Sequence, residues 1–197
     1  MRDPTKSLRF AAQGFLDVIL EADTRLGVAG AEQKEAHAAL QRARDLKMRA
    51  RLPDLIDAIR AENPAAHNFK LAARQNDRMH ALLAASRDAA AGALLQLAKE
   101  VLTVQYGGLA NAPLGRKIGS VAIRELIHAG RNQSVHWDAE LPHKKVQQVF
   151  SLLAQEQGVA FDLAQGVPRS RAYECLQLLG WLGYEQYERD LVDLINA

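Results

Sequence analysis

A single cysteine, Cys175, occurs in the 197 residues. That excludes an internal disulfide and a thiolate-built structural zinc site. No run approaches the roughly 18 uncharged apolar residues that a membrane span needs. The apolar stretch behind Met1-Arg2-Asp3-Pro4-Thr5-Lys6 is interrupted by Asp17, Glu21 and Asp23, so a secretory signal is not expected. Charge of one sign is scarce too: 25 Lys plus Arg against 23 Asp plus Glu leave a formal net charge of +2. A binder that holds nucleic acid by bulk positive charge is not indicated, although a local basic site is compatible with this balance. Alternating apolar and polar runs of the strand type are missing as well. These absences point to a reduced, cytoplasmic chain without a membrane segment.

What is present favours helices. With 48% hydrophobic and 24% charged residues the chain is no disordered tail, and Ala, Leu, Gln, Arg and Glu, all strong helix formers, dominate it. Leu8, Ala12, Phe15, Ile19, Ala22 and Leu26 fall at steps of three and four, one apolar stripe of a first helix that Pro4 starts and Gly27 stops. Residues 31–51 predict a more polar helix with Ala36, Leu40, Ala43 and Ala50 as a thin apolar edge. Pro53 breaks it before a short amphipathic piece carrying Leu52, Leu55, Ile56 and Ile59, and Asn63-Pro64 marks a boundary. From Ala65 a long helix is expected, with Met79, Leu82, Leu83, Ser86, Ala90, Ala93, Leu94, Leu97 and Val101 on one face, ended by Gly107-Gly108. Gly107–Gly119 reads as the longest loop. Later helices carry Ile118–Gly130, then Val146, Val149, Phe150 and Leu153 after Pro142, and a final pair follows Val167-Pro168. The expectation is an all-α helical bundle. It forms a single domain over residues 1–197, with 1–62 as an N-terminal helical elaboration and 64–197 as the core, because a piece of about 60 residues buries little apolar surface alone.

Several chemical readings fail on their own terms. Gly115-Arg116-Lys117 lacks both the preceding strand and the Ser or Thr after Lys that a phosphate loop needs. The six histidines, His37, His67, His80, His128, His136 and His143, form no metal-ligand spacing, so neither a metal nor a cofactor is expected. No Gly-x-Ser-x-Gly elbow marks a serine hydrolase. Arg42, Arg44, Lys47, Arg49 and Arg51 read as a solvated helix face, and Trp181, Tyr184 and Tyr187 as core.

One segment stands apart: Ile123-Arg-Glu-Leu-Ile-His-Ala-Gly-Arg131-Asn132-Gln-Ser-Val-His136-Trp137. An amphipathic helix runs into Arg131, Asn132 follows, and four residues separate Arg131 from His136. Over about residues 118–155 this resembles the HEPN superfamily, whose signature is an Arg, commonly followed by Asn, and a His after four to six intervening residues. The resemblance implies a HEPN-like bundle and a metal-independent endoribonuclease acting on RNA, with Arg131, Asn132 and His136 catalytic. Arg124, His128 and Ser134 are weaker, substrate-contacting candidates. It also implies a toxin or anti-phage role, with an antitoxin or regulatory protein as a possible partner. Two other readings stay open: a HEPN-like module that binds nucleotide or dimerises without cleaving, and a helical interaction protein in which residues 120–140 only pack. An ideal helix places residue i+5 about 140° round and ~7.5 Å along, so Arg131 and His136 of one chain do not converge by themselves. A homodimer about a two-fold axis, with the site between two copies as in HEPN ribonucleases, would bring two of each together.

Overall fold

The computed structural model of the protein describes residues 4–49, 54–138 and 143–197. It is an all-α helical bundle. Two long helices, α1 (Pro4–Arg49) and α2 (Leu55–Tyr106), are followed by the small antiparallel pair β1 (Lys117–Ile118) and β2 (Val121–Ala122). Then come α3 (Ile123–Val135), α4 (Lys144–Gln157), α5 (Ala172–Leu179) and α6 (Tyr184–Asn196). No described helix is long and apolar enough to cross a membrane.

The chain divides into two compact units, one of Met1–Leu20 with Ser86–Ala197 and the other of Glu21–Ala85. The division does not follow the expected 62/64 boundary, because the helix does not break there: Pro64 lies inside α2. Gly27 likewise fails to stop α1, which runs on to Arg49, and its φ is not positive. A Gly costs a helix interior about 1 kcal/mol and a Pro about 3. What offsets them is a seam that repeats alternately at three and four residues. On α1 it is Ala22, Leu26, Ala29, Gln33, Ala36, Leu40 and Ala43, all buried or half-buried. Within the Glu21–Ala85 unit, Asn76 Nδ2 donates to Gln33 Oε1 at 2.5 Å, His37 packs on Phe69 with ring centroids 5.4 Å apart, and Lys47 meets Glu62 at 2.7 Å. These pairs run in opposite directions along the two helices, which makes an antiparallel hairpin. The expected basic face is, over residues 42–49, in part this hairpin's ion pairing, since Arg44 also lies 3.8 Å from Glu62. Ala50, Arg51, Leu52, Pro53 and Pro142 lie outside the described residues.

The other unit holds the main core. Ala12, Leu16 and Ile19 of α1 meet Ala91, Leu94, Leu95, Ala98 and Leu102 of α2, the inner faces of α3–α6, and Trp181, which is fully buried. On α2 the buried face runs through Leu83, Ala90, Ala91, Leu94 and Leu95, while the expected members Met79 and Leu82 are 45% and 64% exposed. Gly107, at φ +66°, ends α2 where the sequence predicted. Expected as a loop, the following stretch contains β1 and β2, whose two residues each are too few to show alternation.

One buried carboxylate ties this unit together. Asp190, 3% exposed, accepts from Arg116 Nε and Nη2, both at 2.7 Å, from Trp181 Nε1 at 2.7 Å and from Gln186 Nε2 at 2.9 Å. Arg116 Nη2 also donates to Leu179 O. Burial pushes the Asp190 pKa up, but the hydrogen bonds from Arg116, Trp181 and Gln186 outweigh it and hold the carboxyl below its ordinary value. Asp190→Ala should therefore cost about 2–4 kcal/mol in urea unfolding, somewhat below the loss of a wholly buried pair because Arg116 keeps access to water. The stabilisation by wild-type Asp190 should be present above the unfolded pKa and fade as the pH falls through the lower folded one.

Candidate functional site

The helix that carries the motif is set in place by small residues. A Cβ on Gly130 would lie 3.0 Å from Cys175 Sγ of α5 and 3.1 Å from Leu95 Cδ1 of α2, and one on Gly92 would lie 2.8 Å from Ser134 Oγ. These glycines let α3 lie close against α2 and α5. The close approach puts Arg131 beside Gln96 of α2: Arg131 Nε donates to Gln96 Oε1, and Gln96 Nε2 donates to Glu100 Oε1 at 2.7 Å. Arg131 Nη1 donates to Asn132 Oδ1, and Asn132 Nδ2 donates to His128 Nε2, both at 3.1 Å. An amide nitrogen can donate only to an unprotonated ring nitrogen. His128 suits that role, because burial, then Lys99, Lys145, His143 and Arg131, push its pKa below the usual histidine value. Arg131, Asn132 and His128 thus form one polar chain on the last turns of α3.

His136 stands on the far side of that turn. It is exposed at the C-cap, its backbone N–H donating to Asn132 O at 3.1 Å. It lines two cavities. A small one of about 190 Å³ it shares with Asn132, His143 and Val146. A larger one of about 590 Å³ it shares with Trp137, Gln147, Arg169 and Arg171. Among the described residues no hydrogen bond joins Arg131 to His136, in keeping with the helical angle between them.

The far wall of the larger cavity is fixed by Gln133, which is buried. Its Oε1 accepts from Arg171 N at 2.6 Å and its Nε2 donates to Arg169 O at 2.8 Å, so one amide pins residues 169–171 to α3. Arg171 Nη2 donates to Gln165 O at 3.2 Å and Asp162 O at 3.4 Å. Arg169 pairs with Glu174 and lies 3.9 Å from Asp88.

Of the residues expected at the site, Arg131, Asn132 and His128 come together and His136 opens on the cavities. Arg124 and Ser134 line neither cavity. Arg124 donates to Ala110 O and Ala112 O and so fastens the turn after α2. Ser134 Oγ donates to Arg131 O at 2.7 Å and sits against Gly92. Sequence reasoning missed Gln133, Trp137, His143, Arg169 and Arg171. The only signals for them were the nearness of Trp137 and His143 to the motif and the Arg-Ser-Arg triplet after Pro168. Cys175 offers no nucleophile, since full burial pushes its thiol well up. Among the described residues no three His, Cys, Asp or Glu side chains gather as a metal centre would need.

Fold and cavity define an all-α protein with a histidine and two arginines around one open pocket. No family model, no curated protein and no solved structure matches the chain.

Burial, and then Glu174, push the Asp88 carboxyl up to about 6, against the weaker pull of Arg87, Arg169 and Arg171. A raised folded pKa means that the fold favours the proton. The associated stability is full below the unfolded value of 3.8 and is lost as the pH rises through 6. Asp88→Asn should accordingly raise the melting temperature by a few degrees at pH 8, and the gain should vanish near pH 4.

Proposed function

We propose that the protein is a metal-independent endoribonuclease of the HEPN type, with an active site completed by a second copy of the chain and a role as a toxin or anti-phage effector. The observation that carries this reading is the placement of His136: exposed at the end of the motif helix, it faces a cavity whose walls hold Arg169 and Arg171. The sequence resemblance supplies the reaction class. In that reaction the ribose O2′ loses its proton to an imidazole and bonds to the adjacent phosphorus. The P–O5′ bond breaks, and O5′ takes a proton from a second acid, leaving a 2′,3′-cyclic phosphate and a 5′-hydroxyl. Imidazole moves protons near neutrality, which suits His136 as the base. His143, in the small cavity with His136 and Asn132, suits the second transfer. Guanidinium donors meet the charge that builds on the phosphoryl oxygens.

The placement of the two side chains within one chain supports the two-copy site. Arg131 is turned to Gln96 of α2 while His136 faces the cavities, and a two-fold axis would let Arg131 of one copy and His136 of the other hold one phosphate. Light scattering should then give the mass of a dimer, alone or with RNA; a strict monomer that cleaves RNA would remove the composite site.

A specific observation favours a second reading. Hydrogen bonds to Gln96 and Asn132 are also what a purely structural Arg131 would make, as in a HEPN-like module that binds or dimerises without cleaving. Mutants separate the two. His136→Ala should leave the melting temperature nearly unchanged, because among the described residues His136 is hydrogen-bonded through its backbone alone, and should lower RNA cleavage in EDTA by about 10²–10⁴. Arg131→Ala should lower cleavage and also cost about 1–3 kcal/mol of stability, because the half-buried Gln96 Oε1 loses its donor and Asn132 Oδ1 loses Arg131 Nη1. Cleavage that is absent in wild type, or that falls only in proportion to lost folded protein, would favour the silent module.

A further inference from the structure

The larger cavity has features that phosphate chemistry does not require. At about 590 Å³ it is of ligand-binding size, and much larger than a phosphate group. Phe150, which is buried, and Ala154, Leu163 and Pro168 give it an apolar lining. Trp137 lines it too, although 45% of that residue is exposed. An indole face of this kind is a sequence-tolerant platform for a nucleobase. The next residue, Asp138, also lines the cavity, and among the described residues its carboxylate takes no hydrogen bond. The other carboxylate of the lining, Asp162, already accepts from Ala164 N at 2.9 Å. A stacking face, an unengaged acceptor next to it in sequence and two guanidiniums in the same lining are the parts needed to hold one nucleotide.

The chemistry of the acceptor narrows the base. A carboxylate has two oxygens and no donor. Guanine offers it two adjacent donors, N1–H and the N2 amine, on one edge. Adenine and cytosine each offer one amine beside an acceptor nitrogen, and uracil offers a single N–H between two carbonyl oxygens that a carboxylate repels. We propose that this cavity is a base-specific subsite for guanine in an RNA strand, with the ring stacked on Trp137, its donor edge on Asp138, and its phosphate toward Arg169 and His136. This rests on the ribonuclease reading and adds to it a preference for cutting beside guanosine.

Calorimetric titration of the full chain with each of the four ribonucleoside 5′-monophosphates tests the subsite without any cleavage, and digestion of an RNA of mixed sequence tests the cutting preference. Guanosine monophosphate should bind at least about tenfold tighter than uridine monophosphate. Asp138→Asn should remove most of that ratio, and Trp137→Ala should weaken binding by about tenfold. Both residues are exposed, so melting should not change in either variant. Equal affinity for the four nucleotides, or a guanine preference that survives Asp138→Asn, would overturn the subsite. RNA cleavage without regard to guanine, together with no guanosine monophosphate binding, would refute the subsite and leave the ribonuclease standing. Selective guanosine monophosphate binding with no cleavage of any RNA would do the reverse, leaving a guanine-nucleotide site without the nuclease.

Discussion

The cavity exists because of one side-chain amide. Gln133 uses its oxygen on Arg171 N and its nitrogen on Arg169 O, and it is itself buried, so water cannot replace either bond cheaply. Residues 169–171 form no helix or strand; without such a partner this stretch would leave buried backbone groups unpaired. The amide therefore does for it what a ladder does for a strand. Gln133 follows Asn132 directly in sequence, which makes the cavity wall part of the same helical turn as the motif.

The arginines of that wall differ in what they leave over for a ligand. Arg169 is paired with Glu174 and faces Asp88, so much of its charge is met within the protein. Arg171 is held by the carbonyls of Asp162 and Gln165. Those carbonyls carry no net charge, but Glu174, Asp88 and Asp162 also act on the guanidinium, so part of its charge too is met within the protein. The cost of the arrangement falls on Asp88, which lies among these groups and beside Glu174 with its carboxyl pushed up to about 6. Two carboxylates crowded near a guanidinium are an uneasy set for folding, and such sets gather at functional sites more often than elsewhere.

Helix type was legible in the sequence, and helix ends were not. The three- and four-residue steps of Ala12, Ile19 and Ala22, and of Ala90 and Leu94, report burial directly, and the structure buries each of them. Gly27 and Pro64 read as stops because local propensity disfavours them, but propensity yields where a packed seam continues past the offending residue. Met79 and Leu82 show the opposite error: spacing put them on the buried face, whereas the structure leaves both exposed, lining an open groove beside Ala29, Gln33 and Asn76. At the candidate site the motif showed which turn to examine and, through the helical angle, that Arg131 and His136 would part. Arg169 and Arg171 were not legible, because they enter through a tertiary contact 38 residues from Gln133 that no local pattern encodes.

That parting of the motif has a consequence for its division of labour. Arg131, Asn132 and His128 are joined in series, and the series ends on a histidine whose burial and cationic neighbours favour the neutral form. A neutral imidazole fits the role of acceptor for Asn132 and suits poorly the role of a proton donor to a leaving group. Under the ribonuclease reading proposed above, the proton work would fall to the exposed histidines His136 and His143, which share the small cavity with Asn132. Asn132 is the hinge of this arrangement: its side chain belongs to the half-buried polar chain, its carbonyl accepts from the backbone N–H of His136, and it lines the small cavity itself. A change at Arg131 can thus reach His136 through a single intervening residue, whatever charge Arg131 contributes directly from either copy of the chain.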